Sequence, residues 1–284
     1  GAFWREGGIA PGLELEDVLP RFTEEAIDVI ESHAGSEHSD QPMMLYLAYP
    51  APHTPWLPSE EFEGKSGAGM YGDFLAMVDA NIKEVLDAME KQGMMENTLV
   101  IFTSDNGPVW YENDVERFAH DAAGGLRGMK GDAWEAGHRM PFIVKWPGKV
   151  TPGSTSAHPV CFTDLLATVA DLTNAAMPAG AGPDSYSFLP ALLGKCEQAA
   201  ARPPIVMQSA NGAMMIRSGD WKLINQLGSG GFSRPGRREP KQGEPEGQLY
   251  NLADDPAEQH NLYNERPEIV GRLKTEMETI VSHK

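Results

Sequence analysis

Cysteine is scarce in this chain. Its 284 residues include two, Cys161 and Cys196, which form no CxxC pair and no recognisable framework, so both read as buried thiols. Long apolar runs are missing too. None approaches the ~20 residues that span a bilayer, and no basic-then-apolar leader opens the chain. The first residue is not Met, and Gly1-Ala2-Phe3-Trp4 reads as mid-protein sequence. The N-terminal part of a longer protein is therefore expected to precede it, and the missing leader says nothing about compartment. Positive charge is also in deficit: 23 Lys and Arg stand against 41 Asp and Glu, a net charge of −18. That argues against a nucleic-acid binder, which needs a basic face to release counterions, and against docking on an anionic membrane. A small anionic substrate stays open, because a local Lys and His cluster is shielded from distant acidic surface beyond a Debye length of ~8–10 Å. Internal repeats and low-complexity tracts are absent.

What is present is an ordinary globular composition, 41% hydrophobic and 23% charged, organised around residues 98–130. Leu99-Val100-Ile101-Phe102 reads as a buried strand that breaks sharply into Ser104-Asp105-Asn106-Gly107-Pro108. Gly124-Gly125-Leu126-Arg127-Gly128-Met129-Lys130-Gly131 then reads as a backbone-exposing loop that delivers one lysine. Ligands of open α/β sheets bind beyond the carboxyl ends of strands, which is where Asp105 and Asn106 fall.

Along the chain, Phe22, Ala26, Val29 and Ile30 predict a helix over 22–32, with Thr23-Glu24-Glu25 suiting its start. Met43 to Ala48 is a continuous apolar run, expected to be a buried parallel strand, and it ends in the rigid loop Pro50-Ala51-Pro52-His53-Thr54-Pro55. Tyr71, Phe74, Val78, Ile82, Val85 and Met89 make one stripe of a helix over 70–91, stopped by Gly93. Followed by the strand 98–103, this predicts a βαβ unit with a right-handed crossover. A third strand is expected over 141–146 and a helix over 163–172. Beyond about 199 the texture changes to short strands, 205–208, 213–217, 221–225 and 248–252, with a hairpin turn at Ser218-Gly219-Asp220. A loop-rich stretch covers 228–247, and a closing helix is expected over 265–282. The reading is an α/β domain over 1–198 and a small α+β subdomain with antiparallel strands over 199–284.

Each candidate site residue has a plain alternative. Asp105 and Asn106 supply a carboxylate and an amide carbonyl suited to Ca2+ or Mg2+, yet Asp-Asn-Gly is also a common turn. His53 can contact an anion or protonate a leaving group, or be a surface histidine. Lys130 suits an oxyanion, or is a solvated loop lysine. Arg127 reads as a structural residue tying the loop to the sheet. Their joint placement after or beside strands points to a metal-plus-oxyanion site.

Six segments then carry a family resemblance: 45–55, with Pro50-Ala51-Pro52-His53-Thr54-Pro55; the helix 71–93; 98–107, with Ser104-Asp105-Asn106-Gly107; Leu126-Arg127-Gly128-Met129-Lys130-Gly131 with Trp134-Glu135-Ala136-Gly137; 139–148; and Gln248-Leu249-Tyr250-Asn251-Leu252 with Asp254-Asp255-Pro256. In this order and spacing they resemble the C-terminal half of a type I sulfatase, of the alkaline-phosphatase-like superfamily. The resemblance implies a mixed or parallel sheet between helices, incomplete in this chain. It implies Asp105 and Asn106 as ligands of a divalent metal, usually Ca2+, and His53 and Lys130 as residues that bind the sulfate and assist leaving-group departure. It also implies a formylglycine hydrate nucleophile, made from Cys or Ser in Cys/Ser-x-Pro-x-Arg, which attacks sulfur, releases the alcohol and then eliminates sulfate. That motif belongs, with an acidic pair of the metal site, to the family's N-terminal part. Neither Cys161 nor Cys196 fits it. Ser233-Arg234-Pro235-Gly236-Arg237 fits by letter, but lies in the wrong part of the chain and reads as a Gly/Pro/Arg surface loop.

The expectation is therefore a sulfatase-family polypeptide that acts on a small sulfate ester and is catalytically incompetent alone. A phosphodiesterase or phosphonate monoester hydrolase of the same fold, and a non-catalytic binding module, are the alternatives. Half a sheet would expose an edge open to self-association. Compartment stays open: many bacterial relatives of the family are exported, so a periplasmic or secreted location is compatible with the resemblance. Substrate choice belongs to variable loops, with 109–123 the loop to watch.

Overall fold

Pro20 falls in the first turn of a helix, where its missing N–H has no intrahelical partner to lose. In the computed structural model, which describes residues 7, 8, 10–198 and 202–282, that helix is α1, Val18–Ala34. Its start is earlier than expected, so Thr23 lies inside it. Leu19, Thr23, Ala26 and Ile30 form the buried face, while Phe22 and Val29, expected in the core, are exposed. The second helix, α2, runs Gly69–Lys91 and buries Phe74, Met77, Val78, Val85 and Met89. Between the two helices the Thr23 hydroxyl donates to Asn81 Oδ1 at 2.7 Å, and Asn81 Nδ2 donates to Met77 O at 2.8 Å, so a buried polar pair is satisfied. Gly93, at φ +68°, ends the helix as expected.

The chain forms two compact units, residues 1–99 with 146–148, and 100–145 with 149–284. The boundary expected at 198/199 abuts residues 199–201, which lie outside the described residues, as do Gly1-Ala2-Phe3-Trp4. In the first unit, 43–48 is not a strand: Met44 and Tyr46 are 79% and 82% exposed. An apolar run becomes a strand only where a neighbour accepts and donates its ladder bonds, and among the described residues 43–48 has no such neighbour. The predicted βαβ unit is accordingly not formed.

In the second unit, β1 (Val100–Thr103) is followed by α3 (Glu112–Phe118), a helix inside the stretch read as a loop, and by β2 (Phe142–Lys145). β1 and β2 pair antiparallel, Val100 with Lys145 and Thr103 with Phe142. The strands at 98–103 and 141–146 are thus where the sequence placed them, but no parallel pair occurs among the described strands. α4 (Asp164–Thr173) and the short α5 (Leu189–Leu192) follow. Cys161 is half-buried and Cys196 exposed, so the expectation of two buried thiols fails: Cys196 opens a single 3-10 turn with no apolar face to hide it.

A four-stranded antiparallel sheet closes the unit: β3 (Ile205–Gln208), β4 (Met214–Ser218), β5 (Trp221–Ile224) and β6 (Gln248–Asn251), in that spatial order. The β4–β5 hairpin turns at Gly219-Asp220 with Ser218 opposite Trp221, and Gly219 at φ +60° supplies the left-handed residue such a turn needs. Side chains alternate across the sheet. Ile216, Leu223 and Leu249 face α6 (Pro267–Ser282), which contributes Val270, Leu273 and Met277. Met215, Ile224 and Tyr250 face the other way and pack on Ala133 and Trp134. That second face holds the segment that follows Lys130.

Candidate active site

The loop that carries Lys130 is clamped from several sides. Lys130 N donates to Pro108 O at 2.8 Å, so the lysine backbone lies on the Asp105–Pro108 turn. The turn is fixed in its own right: Ser104 Oγ donates to Asn106 O at 2.9 Å, and Gly107 N to Gly137 O at 3.1 Å. A Cβ on Gly107 would stand 1.6 Å from Ala136 O, so only glycine fits there. Asp132 is buried, and Oδ2 of its carboxylate accepts from Met129 N at 2.9 Å while Oδ1 accepts from Ser233 N at 3.0 Å.

Arg127 ties the loop to the sheet, as its sequence context suggested. Its guanidinium stacks 3.8 Å from the Trp134 ring centroid, and Nη1 donates to Glu258 O at 2.7 Å and Tyr250 Oη at 3.3 Å. Burial pushes the Tyr250 phenol up to about 12, so it is neutral and donates to Gln248 Oε1 at 2.7 Å. Trp134 Nε1 donates to the same oxygen at 2.9 Å.

Beneath lies a buried charge cluster that sequence reasoning missed. Lys222 Nζ is 2.9 Å from both Glu135 Oε1 and Glu258 Oε1, and Glu135 N donates to Glu258 Oε2 at 2.6 Å. Burial alone would raise the Glu135 carboxyl; the His138 hydrogen bond and the Lys222 charge outweigh it and hold it well below the usual carboxylate range. Burial raises Glu258 instead, since Lys222 is its main counter-charge. Burial and then the Lys222 ammonium depress His138, whose Nε2 lies 3.3 Å from both Lys222 Nζ and Glu135 Oε1. Nothing local marks these residues. Lys222 sits mid-strand, and Glu258 reaches its place through a left-handed φ of +54°.

The chemically free groups are those singled out by sequence. Asp105 is exposed and Asn106 half-buried. Asn106 Nδ2 donates to Gly107 O at 3.0 Å, and among the described residues neither its Oδ1 nor the Asp105 carboxylate accepts a hydrogen bond. Two hard oxygen donors are therefore free on adjacent residues, which suits part of the six to eight ligands of Ca2+. No group of three or more His, Cys, Asp or Glu among the described residues forms a metal cluster by itself. Lys130 is half-buried, with no ion pair for its ammonium among the described residues. His53 belongs to the first unit and is exposed. Its Nδ1 donates to Thr54 O at 2.8 Å, which leaves Nε2 as the free ring atom.

The protein-family model described as Sulfatase matches residues 19–175. The chain belongs to the sulfatase family. It is 35% identical over 284 residues to the N-acetylgalactosamine-6-O-sulfatase of Bacteroides thetaiotaomicron, covering 98% of this chain and 53% of that protein. With human arylsulfatase A it shares 32% over 281 residues, covering 93% and 52%. The sulfatase chain thus spans about half the length of these curated relatives. Among solved structures it is similar to a Bacteroides thetaiotaomicron 6S-sulf protein from work on the metabolism of multiple glycosaminoglycans, with a TM-score of 0.81, 34% identity, and coverage of 94% of this chain and 55% of that one. The PsFucS1 sulfatase of Pseudoalteromonas sp., at 22% identity and a TM-score of 0.76, shares the fold. That fold is the alkaline-phosphatase-like α/β architecture of sulfatases, here with mixed helices and antiparallel sheets. Among the described residues no helix is long and apolar enough to cross a membrane.

Proposed function

We propose that this chain supplies the metal-binding and sulfate-binding residues of a sulfate-ester hydrolase. Asp105 and Asn106 act as oxygen ligands of a divalent cation, Ca2+ first, and Lys130 and His53 bind the sulfate group. Residues 1–198 then belong to the catalytic α/β domain and 199–284 to a small C-terminal α+β subdomain. Neither Cys161 nor Cys196 carries the proline and arginine that the formylglycine motif requires, so the nucleophile is assigned to no residue of this chain, which is inactive alone. The relatives active on N-acetylgalactosamine-6-sulfate and tied to glycosaminoglycan metabolism make a carbohydrate sulfate the ester to test first.

The observation that supports this reading is the 2.8 Å bond from Lys130 N to Pro108 O. It brings the Lys130 backbone onto the turn whose preceding residues are Asp105 and Asn106. A divalent cation bound there would supply positive charge to the sulfuryl oxygens. Lys130 adds a flexible point charge to the same oxygens, stabilising the negative charge that builds as the S–O bond breaks. His53 is the group assigned to hand a proton to the departing alkoxide.

Calorimetric titration of the chain with Ca2+, then with a sulfated monosaccharide, tests the assignment. Asp105→Ala is expected to abolish Ca2+ binding, and Lys130→Ala to weaken the sugar sulfate about tenfold while sparing Ca2+. Unchanged Ca2+ affinity in Asp105→Ala would remove the metal site from this turn.

A further inference from the structure

An open cavity of about 420 Å3 is lined by Tyr111, Asn211, Gly231, Phe232 and Arg234. Its lining adjoins both segments of the candidate site along the chain. Tyr111 stands three residues beyond Pro108, whose carbonyl holds Lys130 N. Gly131 follows Lys130 directly, its carbonyl accepts from Ala210 N at 2.9 Å, and a Cβ on it would lie 3.6 Å from the Phe232 ring. The loop over 229–236 is held, not loose: Gly231 N donates to Ser229 Oγ at 3.0 Å, Gly230 N to Gly236 O at 2.7 Å, and Asn211 N to Gly230 O at 2.8 Å. Within the surface loop expected over 233–237, Arg234, Pro235 and Arg237 are exposed and Gly236 is buried, and just before it Gly231 is buried and Phe232 exposed. One Asp132 carboxylate takes N–H bonds from both Met129 and Ser233, which ties the loop that lines the cavity to the segment that carries Lys130.

The chemistry of the lining is specific. Phe232 and Tyr111 are 47% and 49% exposed, so each offers an apolar face to a ligand ring. Asn211 adds an amide whose Nδ2 is only distantly engaged, 3.4 Å from Gly231 O. Arg234 is exposed and, among the described residues, makes no ion pair, whereas its loop neighbours Arg237 and Arg238 both do. In a chain of net charge −18, an uncompensated guanidinium at the rim of a cavity selects an anion. Aromatic faces, an amide and a guanidinium together fit a sugar ring that carries a negative group.

We propose that this cavity is the subsite for the sugar next to the scissile sulfate, and that its ligand is a sulfated saccharide with a second anionic substituent, carboxylate or sulfate, held by Arg234. The proposal rests on the reading of Lys130 as the sulfate-binding residue. The test is calorimetry on the full chain with Ca2+ and four probes: phenyl sulfate, a disaccharide bearing one sulfate and no other charge, the same disaccharide with a uronic carboxylate, and the same with a second sulfate. Arg234→Gln is expected to weaken both dianionic disaccharides about tenfold and leave the other two probes unchanged. Phe232→Ala is expected to weaken all three disaccharides and spare phenyl sulfate, and Lys130→Ala to weaken all four. Equal effects of Arg234→Gln on singly and doubly charged disaccharides, or none of Phe232→Ala, overturn the subsite and leave the Lys130 reading standing. If Lys130→Ala changes nothing while the other two variants act as expected, the Lys130 reading falls and the cavity binds saccharide on its own. If no probe binds the unmodified chain, both fall.

Discussion

Lys222 Nζ lies 2.9 Å from Glu135 Oε1, with the Lys222 side chain fully buried and 2% of the Glu135 side chain exposed. The two residues are 87 positions apart, and the ion pair fastens the segment after Lys130 to the middle of a β-strand. Glu258 completes the arrangement from the other side of the same ammonium. A buried pair of this kind is costly to halve, because the surviving charge is stranded away from water.

Lys222→Met is expected to destabilise the second unit by about 3–5 kcal/mol, the usual cost of breaking a buried pair. Arg139→Ala removes a half-exposed partner 3.7 Å from the same carboxylate and is expected to cost about 0–1 kcal/mol. Urea unfolding of both variants checks the ordering. Equal, small losses would show that the carboxylates are neutral in the folded protein.

His138 gives the stability of this unit a pH dependence of definite sign. Its folded pKa is depressed, so its contribution is present above the ordinary histidine value of about 6.5 and is lost as pH falls from there through the folded pKa. Glu135, also depressed, loses its contribution at lower pH, as pH falls from the ordinary carboxylate value of about 4.3 down through its folded pKa. Glu258 is raised and acts oppositely, its contribution being lost as pH rises through its folded value. Comparing unfolding free energies of the parent chain and His138→Gln isolates the histidine. The parent is expected to lose more stability than the variant between pH 7 and pH 5, and identical slopes would show that His138 is charged when folded.

Gly107→Ala should disrupt the turn that carries Asp105 and Asn106. The added carbon would stand 1.6 Å from Ala136 O, a backbone atom that cannot swing aside. A loss of about 3 kcal/mol, the upper end for overpacking, is expected, together with weakened Ca2+ binding. Gly271→Ala, in α6 with nothing within 4 Å, should instead stabilise by about 0.5–1 kcal/mol, because alanine restricts the unfolded chain. Thermal melts of the pair read both signs.

Arg127→Lys conserves charge and is nevertheless expected to cost about 1–3 kcal/mol. Lysine can reach one acceptor, but it cannot stack flat on Trp134 while bonding Glu258 O and Tyr250 Oη. A melting temperature within a degree of the parent would show that the stack contributes nothing.

Local pattern determined much of this protein. The apolar stripe of α2 and the Gly93 stop, the Ser218-Gly219-Asp220 hairpin, the four short strands, the closing helix, and the turn Asp105-Asn106-Gly107 at the end of β1 are each set by residues within a few positions of one another, so period and turn chemistry suffice to find them. The candidate ligands were legible for the same reason: a strand that ends in Ser-Asp-Asn-Gly carries its oxygen donors in sequence. Tertiary structure decided the rest. Whether 43–48 is a strand depends on a ladder partner that its own residues do not specify, and periodicity cannot distinguish the antiparallel pairing of 100–103 with 142–145 from a parallel one. The helix at 112–118 lies in a segment with no buried face to announce it. Asp132 meets Ser233 across 101 residues, and Lys222 meets Glu135 and Glu258 only because β5 presents alternate side chains to the loop after Lys130. A buried charge is tolerable only where its partner arrives from elsewhere in the chain, and the sequence around either residue carries no record of that partner.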